Sequence, residues 1–304
     1  MERLLLTIAN LLYINMQHVT NNSLLKGKMG LILFFYEYGR YTGKHIYTDT
    51  ADIMLDEIIE SLSSNENEVI AGIGWGIQYL IKNKFVEGDS NEILSDIDDR
   101  ILQMIEIQKE FSSGKYMRTL MKSNFNIFVD SYIVSRVNSK IRNERSFEQI
   151  IDLYQNILVK ADKPLPLIFL NTCSAFISWA YSFHVEAKKI NGIMLLLKDR
   201  YNLSFADNLY NAGDLTFFFR IRNRSQMNFS FENVDKCSLE TIESHIHYFI
   251  PELLYFDSDY YLPDDLLVTH YLHDMIGNVS SKNLSLDGLA GIGILIMKKI
   301  NISC

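Results

Sequence analysis

The chain has 304 residues, 48% of them apolar, and a formal net charge of -8. That is material for a sizeable core, and it excludes a disordered chain and a general phosphate-backbone binder, which needs clustered Lys and Arg. Four prolines leave room for many uninterrupted helices, and three cysteines without a Cys-x-x-Cys pair fit a reducing, cytoplasmic setting, so an all-α fold is the expected class.

The chain opens on an apolar stretch, residues 4–14, that lacks a net positive start and a small-residue cleavage site; it reads as a structural helix. Next comes "KGKMGLILFFYEY", residues 26–38, apolar nearly all round and therefore expected to be buried on most sides. A connection, "RYTGKHIY", leads into a second helix in which Ala51, Met54, Leu55, Ile58, Ile59 and Leu62 fall at helical spacing, with Asp49 or Thr50 as its expected N-cap.

The same order then repeats. "AGIGWGIQYLIKN", residues 71–83, is a second apolar helix, "KFVEGD" connects, and Ile93, Leu94, Ile97, Ile101, Met104 and Ile105 mark another amphipathic partner capped by Asp89 with Glu92, or by Ser90. Gly30 corresponds to Gly72, Leu55 to Ile97, Ile59 to Ile101 and Leu62 to Met104, all offset by 42 positions.

The centre carries the period more faintly. Buried helices are expected at residues 125–137, 170–183 and 214–221, with "NTCS" (171–174) and "NAG" (211–213) as turn-forming starts for two of them. Outer helices are expected at 146–159, 190–200, 239–250 and 264–276, and a long polar loop at 223–235. Residues 164–183 include Asn171, Thr172, Ser174 and Ser178, which favours a buried helix over a membrane span. The basic group Arg220, Arg222 and Arg224 reads as cations at a helix C-terminus, and no nucleic-acid partner is expected.

"LDGLAGIGILIM", residues 286–297, returns to the inner-helix pattern with no polar capping unit after it. Helical pairs that cannot cover their own apolar faces must stack on neighbours, and a ring needs no cap; the expectation is an α/α toroid of roughly six or seven helical hairpins in a single domain, residues 1–304. Gly27 and Gly30, Val69 and Gly72, and Gly288 and Gly291 hold equivalent places, with Gly74 and Gly293 two residues further on. Glycine there serves a turn with positive φ or a close approach of backbones. A dinucleotide fingerprint is rejected, because "GIGWG" has no preceding strand, third glycine or downstream acid in register. Helix N-termini facing a shared cavity remain able to take an anion or a peptide carboxylate.

These motifs, "SLLKGKMGLILFFYEYGRYT" from Ser23, "AGIGWGIQYLIKNKFVEGD" from Ala71 and "SLDGLAGIGILIM" from Ser285, resemble the lanthionine synthetase C-like family, in versions found in bacterial peptide-modification systems. The resemblance implies an α/α toroid and, as partner, a peptide substrate or a peptide-modifying enzyme. Catalytic members add a cysteine thiol to a dehydrated serine or threonine at a zinc ion held by one cysteine and an adjacent Cys-His pair; zinc supplies the thiolate that a neutral thiol cannot. This sequence has no Cys-His dipeptide, so no metal or other cofactor is expected. An alternative donor set is Cys173, Cys237, His245 and His247; a second, His270, His273 and Asp274, sits at helical spacing where solvated histidines are the simpler reading, and Cys304 reads as a bystander.

The residues singled out as cavity-lining or turn candidates are Gly72, Gly74, Trp75, Gly76, Tyr79, Asp130, Gly288 and Gly291. A carbohydrate-active toroid is a further alternative and would need two facing acids. Asp98 with Asp99, Asp264 with Asp265, Glu87 and Asp89 were weighed for that role, and Asp130 is the foremost. The leading expectation is a divergent family member that binds peptide or a partner enzyme without the usual zinc site, with catalysis left open.

Overall fold

The computed structural model describes residues 2–65, 67–110, 129, 132–133, 135–136, 144–182, 187–206, 275–281 and 283–302. Among them there is no strand. The helices are α1 (Glu2–Asn15), α2 (Lys28–Thr42), α3 (His45–Glu60), α4 (Asn67–Lys82), α5 (Ser90–Ile93), α6 (Ser95–Glu110), α7 (Glu144–Lys160), α8 (Leu167–Ser182), α9 (Ala187–Ala206) and α10 (Leu289–Ile302). The chain divides into two compact units, Met1–Leu94 with Asp257–Cys304, and Ser95–Phe256.

In the first unit α2 is the centre. Its residues from Met29 to Tyr36 are all buried, as an apolar-all-round sequence requires, and it packs along α3, α10, α4 and α1. Gly43, at φ 66, ends α2 in the left-handed conformation that an ordinary side chain resists. Tyr13, Phe34, Phe35, Tyr38 and Tyr47 form one aromatic cluster, with Tyr38 and Tyr47 edge to face at 4.7 Å. The α4 residues Ile70, Ala71, Ile73, Trp75, Ile77 and Leu80 are buried, and so is α10 from Leu289 to Met297. The apolar start of the chain is indeed a helix, burying Leu5, Ile8, Ala9 and Leu12.

The outer helix α3 departs from its expected start. It begins at His45 with Lys44 as a cap that makes no side-chain bond, and Thr50 lies inside, its hydroxyl donating to the Ile46 carbonyl at 2.7 Å. The helix has already begun at His45, so the N–H groups next to Thr50 are paired within it and a cap there has nothing to serve. The Asp89 carboxylate accepts the Asn91 N–H at 2.9 Å, but it caps only the single turn α5; the one helix expected from Ile93 through Met104 is broken at Leu94, and α6 begins at Ser95. The 42-residue correspondence also slips. Ile58 is fully buried in α3 while Ile59, the counterpart of buried Ile101, is 47% exposed.

In the second unit α7 packs on α6 and α9, and α8 on α9. Ile150, Ile151, Tyr154, Ile157 and Leu158 make the buried stripe of α7, and Ile190, Ile193, Leu197, Tyr201 and Phe205 that of α9. Arg200 on α9 caps the end of α7, donating to the carbonyls of Leu158 at 2.7 Å and Ala161 at 2.8 Å. Residues 171–174 do not start a helix; they lie within α8, which begins just after Pro166 because a proline with fixed φ sets a helix start and cannot continue one. No described helix is long and apolar enough to cross a membrane. The expected elements at 214–221, 223–235 and 239–250, and most of 125–137 and 264–276, lie outside the described residues.

Candidate functional site

The glycines lead to the most structured polar place in the first unit. Gly27 precedes α2 and Gly288 precedes α10, and the two turns that contain them meet. Ser285, fully buried, donates its hydroxyl to the Gly27 carbonyl at 2.6 Å, and the Asp287 N–H donates to the Leu25 carbonyl at 2.9 Å. Gly30 lies beneath this clasp. A Cβ there would come within 2.5 Å of the Leu24 carbonyl oxygen and 2.7 Å of the Leu286 nitrogen, both backbone atoms that cannot step aside.

None of these glycines shows positive φ, and Gly72, Gly74, Gly76 and Gly291 are helical and buried. Of the two roles expected for such glycines, close packing is the one seen at Gly76 and Gly293: a Cβ on Gly76 would meet the Met29 side chain at 2.5 Å, and one on Gly293 would run into the Phe34 ring. Helical backbone already supplies α4 with its φ, so the missing side chain is used for proximity. Trp75, 7% exposed, stacks on half-buried Tyr79 at 5.4 Å, and the Tyr79 hydroxyl donates to Glu37 on α2.

The helix starts here are not vacant anion sites. The Lys28 N–H is taken by the Asn21 carbonyl at 2.8 Å, the Leu289 N–H by Asn283 at 2.9 Å and the Ala290 N–H by Leu284 at 3.1 Å. What does stand out is a carboxylate. One oxygen of Asp287, Oδ1, is buried with no hydrogen-bond partner, and burial pushes the group up to about 6, against the opposing pull of Lys26.

The second unit holds a buried ion pair. Asp98 on α6 receives the Tyr132 hydroxyl at 2.6 Å and two donors from Arg136, at 3.0 Å and 2.7 Å, and all three side chains are essentially inaccessible. Burial beside that carboxylate pushes the Tyr132 hydroxyl well above its usual range. These partners saturate Asp98, so it is a poor candidate for proton transfer; Asp99 and Glu87 are exposed, and Asp89 is spent on its cap. Tyr201 on α9 bridges two residues of α8, Asn171 at 3.0 Å and Ser174 at 2.9 Å.

Cys173 is fully buried in the middle of α8. Among the described residues no three His, Cys, Asp or Glu side chains come together as a cation site. Cys237, His245, His247, His270, His273, Asp274, Asp264, Asp265, Asp130 and Cys304 lie outside the described residues. The donor set of the zinc-dependent family members does not fit this chain, because Cys173 and Cys237 are each followed by serine and no cysteine is followed by histidine.

The sequence singled out the glycines of the clasp but passed over Ser285 and Asp287. The available signal was a lone carboxylate between Leu286 and Gly288 in an otherwise apolar run. Asp98 was weighed only with its neighbour, since Tyr132 and Arg136 stand 34 and 38 positions away.

Comparison with known proteins gives one family: the model for lanthionine synthetase C-like proteins matches residues 18–167. Neither a curated protein nor a solved structure matches the chain.

Proposed function

Residues 18–167 belong to the lanthionine synthetase C-like family, and from that premise we propose that the protein is a divergent member acting in peptide natural-product modification. It binds a precursor peptide or a partner modification enzyme and does so without the family's usual zinc site. The observation that carries this reading is the family match in a chain with no Cys-His dipeptide. The interior position of Cys173 supports it, since a thiol sealed within a helix core is closed to a peptide substrate.

The family also implies an α/α toroid, with α2, α4, α8 and α10 as inner helices and α3, α6, α7 and α9 as outer ones. Two features support that assignment: inner helices buried on nearly every side, and α10 lying against α1 and α2, as the closing step of a ring requires. Trp75, Tyr79 and the glycines of α4 then belong to the inner wall, where aromatic faces offer a peptide apolar contact with a polar handle. A setting in the cytoplasm fits a peptide modified before export.

The deciding experiment is metal analysis of the purified full chain, paired with titration of a synthetic peptide that carries a cysteine and a dehydrated serine. Binding of that peptide without stoichiometric zinc and without thioether formation is the expected result. Stoichiometric zinc that disappears together with thioether formation in Cys237→Ala would overturn the reading in favour of a cyclase with unorthodox ligands.

A further inference from the structure

The clasp between the two glycine turns is a hydrogen-bonded lock with one unsatisfied member. Ser285 and the Asp287 backbone are both paired across it, to Gly27 and Leu25, and Gly30 admits the Leu286 backbone against α2. The Asp287 carboxylate sits in the same turn with Oδ1 buried and unpartnered. An ionised carboxylate with one oxygen buried and unpaired is costly to hold there even though its own backbone N–H and Lys26 favour the charge, whereas a protonated one is far less so. We propose that Asp287 makes this clasp responsive to pH, so that α10 is held against α1 and α2 more firmly in mild acid than in neutral solution.

The surrounding charges leave the carboxylate in control. Lys26, in the facing turn, is exposed and, among the described residues, is the cation that draws the carboxylate toward its charged form, helped by the backbone N–H of Asp287 itself. Lys28 at the start of α2 is engaged with Glu57 at 2.6 Å, and Glu2 and Arg3 on α1 are exposed, as is His18 beyond its end. The group's value of about 6 in the closed state, against 3.8 in an open chain, fixes the sign. The closed form binds the proton more tightly. Its advantage is complete below the open-chain value and is lost as pH rises through about 6; linkage turns that shift into an opening constant about tenfold larger at about pH 7.5 than at about pH 5.

Hydrogen–deuterium exchange on the full chain tests this, followed in peptides covering residues 285–302 and 24–36 and corrected for intrinsic exchange. Protection in the wild-type chain should fall about tenfold between about pH 5 and about pH 7.5. Asp287→Asn should abolish that dependence and keep high protection at both values. Lys26→Gln supplies an independent arm: without the opposing cation, protection at about pH 7.5 should fall further while that at about pH 5 holds. Equal pH slopes in wild type and Asp287→Asn would overturn the proposal, as would an Asp287→Asn chain less protected at every pH, or a Lys26→Gln chain indistinguishable from wild type. Peptide binding is not measured, so the outcome stands apart from the proposed function.

Discussion

Ser285 donates its hydroxyl to the carbonyl of Gly27 at 2.6 Å, joining two turns that are 258 positions apart in the chain. The second acceptor within reach is the Leu24 carbonyl, at 3.4 Å. Ser285→Ala leaves the Gly27 carbonyl with the longer bond from the Gly30 N–H, at 3.2 Å, so the loss is that of one hydrogen bond, about 0.5–1.5 kcal/mol. Urea unfolding should show a lower midpoint with an unchanged slope, and the same residue changed to Thr should recover part of the loss.

Two glycines should respond in opposite directions. Gly30→Ala drives a methyl group into the backbone of residues 24 and 286 and should destabilise by about 1–3 kcal/mol or more, since neither neighbour can move without opening the clasp. Gly192, exposed within α9, has open space where its Cβ would be. Gly192→Ala should therefore stabilise by about 0.5–1 kcal/mol through helix propensity alone. Thermal midpoints of the two variants, read beside wild type, check the contrast.

Asp98 and Arg136 should behave as a coupled pair. Asp98→Asn leaves the guanidinium buried without its counter-charge and should cost about 3–5 kcal/mol. Replacing both by apolar residues of similar volume, Asp98→Leu with Arg136→Met, should recover most of that loss. A double-mutant cycle measured by denaturant unfolding gives the coupling directly, and additive losses would mean that the two charges act independently.

Cys173 should resist thiol reagents in the native chain. A side chain at 0% exposure inside α8 offers no path for attack, so labelling should require unfolding or large local opening. Mass spectrometry of the Cys173 peptide after brief alkylation, with and without denaturant, makes the comparison. Rapid native labelling would mean that the α8 interior opens often enough for its thiol to meet a substrate.

The helices most readable from sequence were those that one property dominates. α2, α4 and α10 are apolar nearly all round, and burial of most of their residues follows. The faces of α3, α7 and α9 follow from helical spacing, but where α3 begins does not. Thr50 is a good cap residue by type, and only the observed start at His45 shows that it lies inside the helix, its hydroxyl donating to the Ile46 carbonyl. The one-residue slip that exposes Ile59 is likewise invisible, because Ile58 and Ile59 are identical in kind and packing alone chooses between them. The glycines were legible as sites of constraint. Whether the constraint was torsional or steric depended on what lay opposite, and for Gly30 that was a segment more than two hundred residues away.

The packing of α10 on α1 and α2 also bears on how the chain is made. Ile8 and Phe34 leave the ribosome early, yet part of the surface that covers them is the backbone around Gly293. The first helices must wait, adhesive and incomplete, through the synthesis of nearly everything between. Contacts of such sequence separation close late and slowly. The nascent protein is thus a natural client for a holding chaperone, and its yield in a foreign host should depend on that supply more than on the stability of the finished fold.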